Sequence, residues 1–177
     1  MRIKARMGIS IDGYVATPDG TPALIKAAGF VPGQSHGYPE FIQGCDTVVM
    51  GRQTFLPALA APHWPWRDMQ VFVLTSRPLP AGTPEHVVTS SAGPAGLARQ
   101  LRSRGSDGDV HLVGGPRTIQ AFHDEGALDR LDVVVLPILL ADGVPLWPRE
   151  TQPPSLRPLH EPRVFPDGSV ELSYSAA

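Results

Sequence analysis

Three short apolar runs in this chain each end abruptly in small, hydroxyl-bearing or basic residues. They are 48–50 (VVM) before GRQT, 71–74 (VFVL) before TSRP, and 110–113 (VHLV) before GGPRT. Each pattern predicts a buried strand whose carboxyl end opens into a turn and, for the first and third runs, into a helix. Ligands of open α/β sheets bind at that edge, where the N–H groups of helix starts favour anions. Because Arg52, Arg77 and Arg117 lie at the three turns, we expect a phosphate-rich ligand there, such as a dinucleotide.

Length and composition restrict the class of protein. The chain has 177 residues, of which 42% are hydrophobic and 18% charged, as in one globular domain spanning 1–177. A net charge of −2 with scattered arginines gives no basic face, so no nucleic-acid partner is expected. No apolar stretch approaches the ~20 residues that cross a bilayer, and the first residues lack a signal-peptide pattern. The one cysteine, Cys45, excludes an internal disulfide, and we expect a cytoplasmic protein without a membrane partner.

The order of apolar periods along the chain predicts alternating strands and helices. Predicted strands lie at 3–11, 45–50, 70–74, 86–89, 109–113 and 130–140, and predicted helices at 22–28, 38–43, 52–60, 93–104 and 116–124. This alternation indicates a largely parallel sheet with helices on both faces. Residues 157–165 and 169–175 flank Pro166-Asp167-Gly168, which predicts an antiparallel hairpin at the C-terminal end.

Five segments in order resemble the dihydrofolate reductase superfamily. VVMGRQTF (48–55), LTSRP (74–78) and VGG (113–115) have its order and spacing. ISIDGYVA (9–16) and LPILLADGVPLW (136–147) resemble the branch typified by the C-terminal reductase domain of the riboflavin-pathway deaminase/reductase. The resemblance runs from about residue 3 to residue 175. It implies an α/β, dihydrofolate-reductase-like three-layer sandwich, with a mostly parallel central sheet, helices on both faces and an antiparallel C-terminal hairpin.

The resemblance also implies NADPH as cofactor and assigns the residues that contact it. At the ends of the predicted strands 45–50, 70–74 and 109–113 these residues are Gly51, Arg52, Thr54, Thr75, Ser76, Arg77, Val113, Gly114, Gly115, Pro116, Arg117 and Thr118. Gly8, Val15 and Ala16 would contact the nicotinamide, although plain strand and loop packing is the alternative for them.

The charge, hydroxyl groups or small size of several of these residues favour contact with a phosphate-containing ligand. Each residue also has an alternative role that needs no ligand. Arg52 at a helix start is unfavourable unless an anion lies nearby, whereas a solvent-facing arginine is the alternative. Ser76 and Arg77 suit a 2′-phosphate, because a guanidinium and a hydroxyl bind a dianion well, and a plain polar turn is the alternative. Thr118 either bonds a phosphate or only caps its helix. Gly114 and Gly115 permit close approach of a ligand or form a ligand-free turn.

Two carboxylates are candidates for the catalytic role. Asp12 ends the first strand, where it either orients a heterocycle and relays a proton or serves as an Asp-Gly turn residue. Glu40 is the second candidate. It is followed directly by Phe41, which does not match the spacing of an acidic and an aromatic residue in folate-reducing members, and this argues against folate as substrate. The deaminase motif of the riboflavin-pathway relatives, His-x-Glu with Pro-Cys-x-x-Cys, is absent from the sequence.

Several other side chains receive weaker assignments. His36, His63, Trp64 and Trp66 fall in segments expected to rim the pocket, with loop packing as the alternative for the tryptophans. His111 is predicted to be a buried sheet histidine, and no chemistry is assigned to Cys45. The six histidines show no metal-ligand spacing, so no metal is expected.

The sequence thus leads to two hypotheses. The first is an NADPH-dependent reductase that transfers hydride to a C=N or an imine or carbonyl carbon of a small heterocyclic substrate that is pterin-, folate- or ribosylaminopyrimidine-like. The second is a non-catalytic module on the same fold that binds or senses NADP(H). The resemblance further implies a homodimer, for which the apolar run 136–140 with Trp147 beyond it offers an edge, and the alternative for this run is a fully buried central strand.

Overall fold

The computed structural model describes residues 1–147 and 155–176. Its strands, in chain order, are β1 (Ile3–Ser10), β2 (Tyr14–Ala16), β3 (Cys45–Gly51), β4 (Gln70–Leu74), β5 (Val87–Ser90), β6 (Asp109–Gly114), β7 (Arg130–Leu136), β8 (Val144–Pro145), β9 (Arg157–Pro158), β10 (Arg163–Val164) and β11 (Val170–Ser175). Its helices are a 3₁₀ helix (Ala23–Lys26), α1 (Tyr38–Ile42), α2 (Arg52–Ala60), α3 (Gly93–Ser103) and α4 (Pro116–Asp124).

The chain divides into two compact units. The first consists of Met1–Ala5 and Gly44–Asp129, and the second of Arg6–Gln43 and the described residues of Arg130–Ala177. Strand β1 runs from the first unit into the second, so each unit contains part of it. In the described residues, nine of the eleven strands form one mixed sheet, in the order β10-β11-β7-β1-β6-β3-β4-β5 with β9 also on β11, and β2 and β8 form a separate pair. The predicted α/β fold class is therefore confirmed.

The first unit contains the parallel strands. The pairs β1–β6, β6–β3, β3–β4 and β4–β5 all run parallel. Strands β3, β4 and β6 are nearly continuous runs of buried apolar residues, which is the pattern of a sheet covered on both faces. Phe55 of α2 and Trp66 join Val48, Met50 and Val73 in one core cluster of this unit.

Helices α3 and α4 belong to the first unit, and each buries one apolar face. Leu97, Ala98 and Leu101 of α3 are buried, and so are Ile119 and Phe122 of α4. These positions recur at the spacing of three and four residues that places side chains on one side of a helix.

The second unit contains the antiparallel strands. Strand β11 pairs antiparallel with β7 on one side and with β9 and β10 on the other. Its inward side chains include Glu171, which bonds the buried guanidinium of Arg6. Arg6 Nη1 also lies 3.7 Å from Oδ2 of Asp132, which is fully buried. The two carboxylates compensate the buried positive charge of Arg6, as burial of a charge requires.

Three sequence predictions about elements are corrected. The strand predicted over 130–140 ends at Leu136, because Pro137 follows it and has no N–H to continue the ladder. The hairpin strand predicted over 157–165 is interrupted, since β9 and β10 are two residues each and Pro158 and Pro162 fall in this segment.

The third correction concerns short elements near the beginning of the chain. The helix predicted at 22–28 is the 3₁₀ helix Ala23–Lys26. The antiparallel pair β2–β8, which joins Tyr14 to Pro145 and Ala16 to Val144, was not predicted. The prediction of a single domain over 1–177 stays a prediction.

Gly143 is required next to the β2–β8 pair. Its φ is 154°, and a Cβ at this position would lie 2.1 Å from the Ala16 carbonyl oxygen, which is backbone and cannot move aside. Only glycine therefore fits here.

We expect Gly143→Ala to lower the free energy of unfolding in urea by about 3 kcal/mol or more, because it combines an overlap with backbone and a disfavoured φ. Gly20→Ala is the matched control: φ is 87° and nothing lies within 4 Å of its Cβ, so only backbone strain is added. That strain costs about 1–2 kcal/mol. Equal losses in the two variants would contradict the steric argument.

Candidate cofactor site and the Asp12 turn

The parallel register of the first unit brings the three predicted strand ends together. Gly51 of β3 is paired with Leu74 of β4, and Met50 of β3 with Gly114 of β6. The segments that follow these strands therefore start side by side at one edge of the sheet. Two of them, after Gly51 and Gly114, lead into α2 and α4.

The starts of α2 and α4 lie against each other through glycines and threonines. A Cβ on Gly51 would lie 2.7 Å from Thr118 Oγ1, and a Cβ on Gly115 would lie 3.4 Å from Thr54 Oγ1. Each threonine is the third residue of its helix. The peptide bond between Gly114 and Gly115 is cis, and the φ of Gly114 is 108°. Two helix starts and two hydroxyl groups thus meet with very little side-chain bulk between them.

The charges at these two helix starts favour an anion. Neither α2 nor α4 has an acidic residue in its first turn, and neither start is capped by a side-chain hydrogen bond. Thr118 therefore does not cap its helix with its side chain, which was the alternative for this residue. Its amide donates to the Gly115 carbonyl at 2.8 Å, and its hydroxyl faces Gly51. Arg117 is exposed on the first turn of α4. Helix N-termini of this kind attract phosphate groups.

The segment after β4, here named the 75–79 turn, is shaped by backbone contacts. The Thr75 amide donates to the Ser90 carbonyl at 3.0 Å, and the Arg77 amide donates to Thr75 Oγ1 at 3.0 Å. The Thr75 hydroxyl thus serves the turn itself, which is the polar-turn alternative for this residue. The side chains of Ser76 and Arg77 are exposed.

Arg52 contacts the 75–79 turn. Its Nη1 donates to the Pro78 carbonyl oxygen at 2.9 Å. The alternative of an arginine that only faces solvent is therefore wrong. Pro78 was missed by sequence reasoning, because a backbone carbonyl is present at every residue and carries no sequence signal. Two other predicted contacts, Val113 and Pro116, are half-buried, and Val113 packs against the core cluster that contains Phe55.

The remaining predicted site residues lie in the second unit. Val15 and Ala16 both lie in β2 and are buried, at 5% and 8% exposure. Gly8 packs closely against Leu24, so that a Cβ on Gly8 would lie only 3.0 Å from the leucine Cβ. Close packing thus accounts for these three residues, and their contact with a nicotinamide stays a prediction.

Asp12 is held by the backbone of a distant segment. Its Oδ1 accepts from the Leu140 amide at 3.2 Å and its Oδ2 from the Ala141 amide at 2.7 Å. Next to it, the Ile11 amide donates to the Ile138 carbonyl at 2.9 Å. The carboxylate of Asp12 thus links the end of β1 to residues 138–141, and both of its oxygens already accept a hydrogen bond.

Hydrogen bonds keep both candidate carboxylates ionised. The Ser10 hydroxyl, followed by the amides of Ala141 and Leu140, lowers the pKa of Asp12 below its ordinary value. The backbone amide of Glu40 itself, followed by Arg163, lowers the pKa of Glu40. Arg163 Nη2 lies 3.4 Å from Glu40 Oε1. The roles of Asp12 and Glu40 in proton transfer stay predictions.

The tryptophans pack in the core instead of rimming a pocket. Trp66 is 8% exposed and meets Trp64 edge to face, with ring centroids 5.3 Å apart. Trp64 Nε1 donates to His86 Nε2 at 3.0 Å. His36 Nε2 lies 2.7 Å from Asp167 Oδ2, so this side chain is engaged within the second unit, whereas His63 is exposed.

Other predicted side chains behave as follows. His111 is buried in β6 as predicted, and burial raises the pKa of the Cys45 thiol.

Within residues 1–147 and 155–176, no three His, Cys, Asp or Glu side chains form a group that could hold a metal ion. In the same ranges, no helix has the length and apolar character needed to span a bilayer.

The Asp12 contacts predict a pH-dependent contribution to stability. Because the pKa of Asp12 is lowered in the folded chain, its stabilising effect is present above pH ~4 and is lost as the pH falls through the lowered value. We expect Asp12→Asn to lower the free energy of unfolding at pH 7, since an amide offers one acceptor oxygen to two amides, and to differ less from wild type at acidic pH. Denaturation curves across pH measure this. Asp68→Asn, at an exposed position, is the control, and a pH-independent difference for Asp12→Asn would exclude the ionised contact.

The chain is similar to known proteins along nearly its whole length. The model of the family described as the RibD C-terminal domain matches residues 2–164. An uncharacterized protein of Bacillus subtilis (strain 168), YwjB, is 31% identical over 153 residues, which cover 85% of this chain and 85% of that protein.

Solved structures with the same fold include two riboflavin-related proteins. A putative riboflavin biosynthesis protein from Shewanella sp. PV-4 is 26% identical, with a TM-score of 0.84 over 99% of this chain and 98% of that one. A diaminohydroxyphosphoribosylaminopyrimidine deaminase/5-amino-6-(5-phosphoribosylamino)uracil reductase from Thermotoga maritima is 15% identical, with a TM-score of 0.72 over 98% of this chain and 56% of that one, and shows the shared fold. The family match over nearly the whole chain decides the assignment: this chain belongs to the RibD C-terminal domain family.

Proposed function

We propose that the chain is an NADPH-dependent reductase that acts on a small nitrogen heterocycle. The observation that carries this proposal is the meeting of the α2 and α4 starts, where Thr54 and Thr118 lie against Gly115 and Gly51. This arrangement suits a pyrophosphate, because two positive helix ends and two hydroxyl donors converge on one place.

The glycines at this place fit a cofactor that approaches the backbone closely. A side chain on Gly51 would overlap the Thr118 hydroxyl, and one on Gly115 would fill the space beside Thr54. In our proposal Thr54, Thr118 and the first-turn amides bind the pyrophosphate, and Arg117 adds positive charge beside it.

The 75–79 turn is the proposed site of the adenosine 2′-phosphate. Ser76 and Arg77 are exposed there, and a hydroxyl with a guanidinium fork suits a dianion. NADPH rather than NADH is therefore the proposed cofactor.

Bound NADPH would supply a hydride to a C=N or an imine or carbonyl carbon of the substrate. The substrate class is proposed by analogy with a protein of the same fold, the Thermotoga maritima deaminase/5-amino-6-(5-phosphoribosylamino)uracil reductase. Both oxygens of Asp12 accept from backbone amides and Glu40 contacts Arg163, so we propose that water supplies the accompanying proton. The predicted homodimer stays a prediction.

The alternative is a module that binds NADPH without turnover. It is favoured by one observation, namely that both carboxylates considered for catalysis are engaged with other groups of the chain. Purified protein titrated with NADPH should show a rise in Tm, and deuteride from labelled NADPH should appear stereospecifically in a reduced aminopyrimidine. Binding without transfer to any aminopyrimidine, pterin or imine would favour the module, and no response at millimolar NADPH would overturn both.

Gly51→Ala tests the pyrophosphate assignment. The added Cβ must displace the Thr118 hydroxyl, which lies 2.7 Å away, so NADPH and NADH should both lose affinity by the same factor, about tenfold. Calorimetric titration gives the two Kd values. The double variant Gly51→Ala/Thr118→Ala relieves the overlap and should recover Tm without recovering affinity. Unchanged affinity in the single variant would contradict the assignment.

Arg77→Ala tests the choice between cofactors. Removing a charged hydrogen bond to the 2′-phosphate costs about 1.5–3 kcal/mol, so NADPH affinity should fall roughly ten- to hundredfold. NADH affinity should remain nearly unchanged, because NADH has no 2′-phosphate. Arg99→Ala on α3 makes the same charge change at another exposed position and is the control. Equal losses for the two cofactors would show that Arg77 does not discriminate between them.

A further inference from the structure

The segment between α2 and β4 is attached to the first unit by its side chains rather than by its backbone. It spans residues 61–69 and is here named the tryptophan segment. In the described part of the chain, its backbone bonds outside the segment only at its start, where the Ala61 amide donates to the Ala58 carbonyl of α2 at 3.3 Å. The bond inside it, from the Met69 amide to the Trp66 carbonyl, is 3.5 Å long. Side-chain contacts therefore decide how firmly the segment is held.

Two indole N–H groups of the tryptophan segment differ in their partners. Trp64 Nε1 donates to His86 Nε2 at 3.0 Å, whereas Trp66 Nε1 is buried and has no acceptor among the described residues. An indole N–H can only donate, so Nε2 of His86 must offer its lone pair, and the proton of the neutral imidazole must lie on Nδ1. The contact thus requires a neutral His86 in one particular tautomer.

His86 is the fixed partner in this contact. Its carbonyl oxygen accepts from the Val71 amide at 3.2 Å and from Gln70 Nε2 at 2.5 Å, so β4 holds its backbone in place. Trp64 lies in the segment that lacks such backbone bonds. If the contact between the two side chains breaks, Trp64 is therefore the partner that moves.

The surroundings of His86 do not stabilise a positive charge on its ring. In the described ranges no carboxylate pairs with His86, and the histidines that form such pairs are His36 and His123. The charged and titratable groups next to His86 in the chain and on the tryptophan segment are all exposed to water, which weakens their interaction with the ring. They are Glu85, His63, Arg67 and Asp68.

We propose that His86 and Trp64 form a pH-sensitive switch: neutral His86 holds the tryptophan segment against the first unit, and a second proton on the imidazole releases it. The added proton turns Nε2 from an acceptor into a donor, so two N–H groups then face each other. Trp66 already leaves one buried indole N–H unpaired, and a second would cost further free energy, so Trp64 moves to where water accepts its proton. Histidine side chains ordinarily titrate between about pH 5 and 8, and release falls in that range.

The release is local, because the neighbouring aromatic side chains are held independently. Trp64 meets Phe55 of α2 edge to face, with ring centroids 5.9 Å apart. Phe55 is fully buried and Trp66 is 8% exposed, and both pack in one cluster with apolar side chains of β3 and β4. Acid should thus loosen the tryptophan segment while α2 keeps its place in the core.

NMR of the ligand-free chain tests the switch and does not depend on the proposed function. At about pH 8, long-range ¹H–¹⁵N correlations should show the Nδ1–H tautomer of His86. His86→Gln is the matched variant, because its amide oxygen can take the place of Nε2 and accepts at every pH. We expect the exchange rate of the Trp64 indole N–H in wild type, divided by the rate in His86→Gln at the same pH, to rise about tenfold between about pH 8 and about pH 5.

Two controls separate local release from general acid unfolding. His63→Gln removes an exposed histidine of the same segment and should leave the Trp64 exchange profile unchanged. The Phe55 amide of α2 should stay protected at about pH 5, whereas the Trp64 and Trp66 amides should exchange faster.

An Nε2–H tautomer at about pH 8, or a rate ratio that is constant across pH, would overturn the switch. Equal acceleration at Phe55 and Trp64 would overturn it as well, because the opening would then be global. If His86→Gln does not fold, the tautomer and the Trp64 indole rate relative to the Trp66 indole rate, both measured in wild type, decide in the same way.

Discussion

The candidate site depends on the parallel register of β3, β4 and β6. Backbone hydrogen bonds along these strands fix which residue of one strand lies beside which residue of the next, and so they fix where the segments beyond the strands begin. Gly51 and Leu74 end their strands as direct partners, and Gly114 lies one step away. Every polar group assigned to phosphate follows one of these three residues within a few positions. A shift of register by one residue would separate the α2 and α4 starts and turn every side chain of the strand to the other face.

The charges of Arg52 and Asp12 are balanced by backbone dipoles rather than by side chains of opposite charge. Arg52 is compensated by the Pro78 carbonyl, and Asp12 by the amides of Leu140 and Ala141. In both cases a side chain from one loop fixes the backbone of another. Such a contact constrains a whole segment, whereas an exposed ion pair between two flexible side chains constrains little. In the buried part of the second unit the rule differs, since Arg6 is compensated by carboxylates.

The sequence predicted the longer elements and missed the shortest ones. Strands β3, β4 and β6 match their predicted positions closely because each is a continuous apolar run, and helices α2 and α4 match because each begins directly after such a run at a glycine. Strands β2, β8, β9 and β10 have two or three residues and carry no period. The role of Asp12 was left open between turn and catalysis because its partner amides lie 128 and 129 residues further along the chain. The contact of Arg52 with Pro78 could not be predicted from the sequence for another reason, because its acceptor is a backbone carbonyl and every residue has one.

The division of β1 between the two units has a consequence for synthesis on the ribosome. Chains fold as they emerge, N-terminal part first. All residues of the first unit have been made once Asp129 has left the exit tunnel, and Ile3 then pairs with Val110 in the growing sheet. Arg6, only a few residues further along the same strand, must wait for Glu171, its partner 165 residues later. Residues 6–43 therefore lack their contact partners in the second unit until the residues after Arg130 have been made, and during this interval they depend most on protection by chaperones.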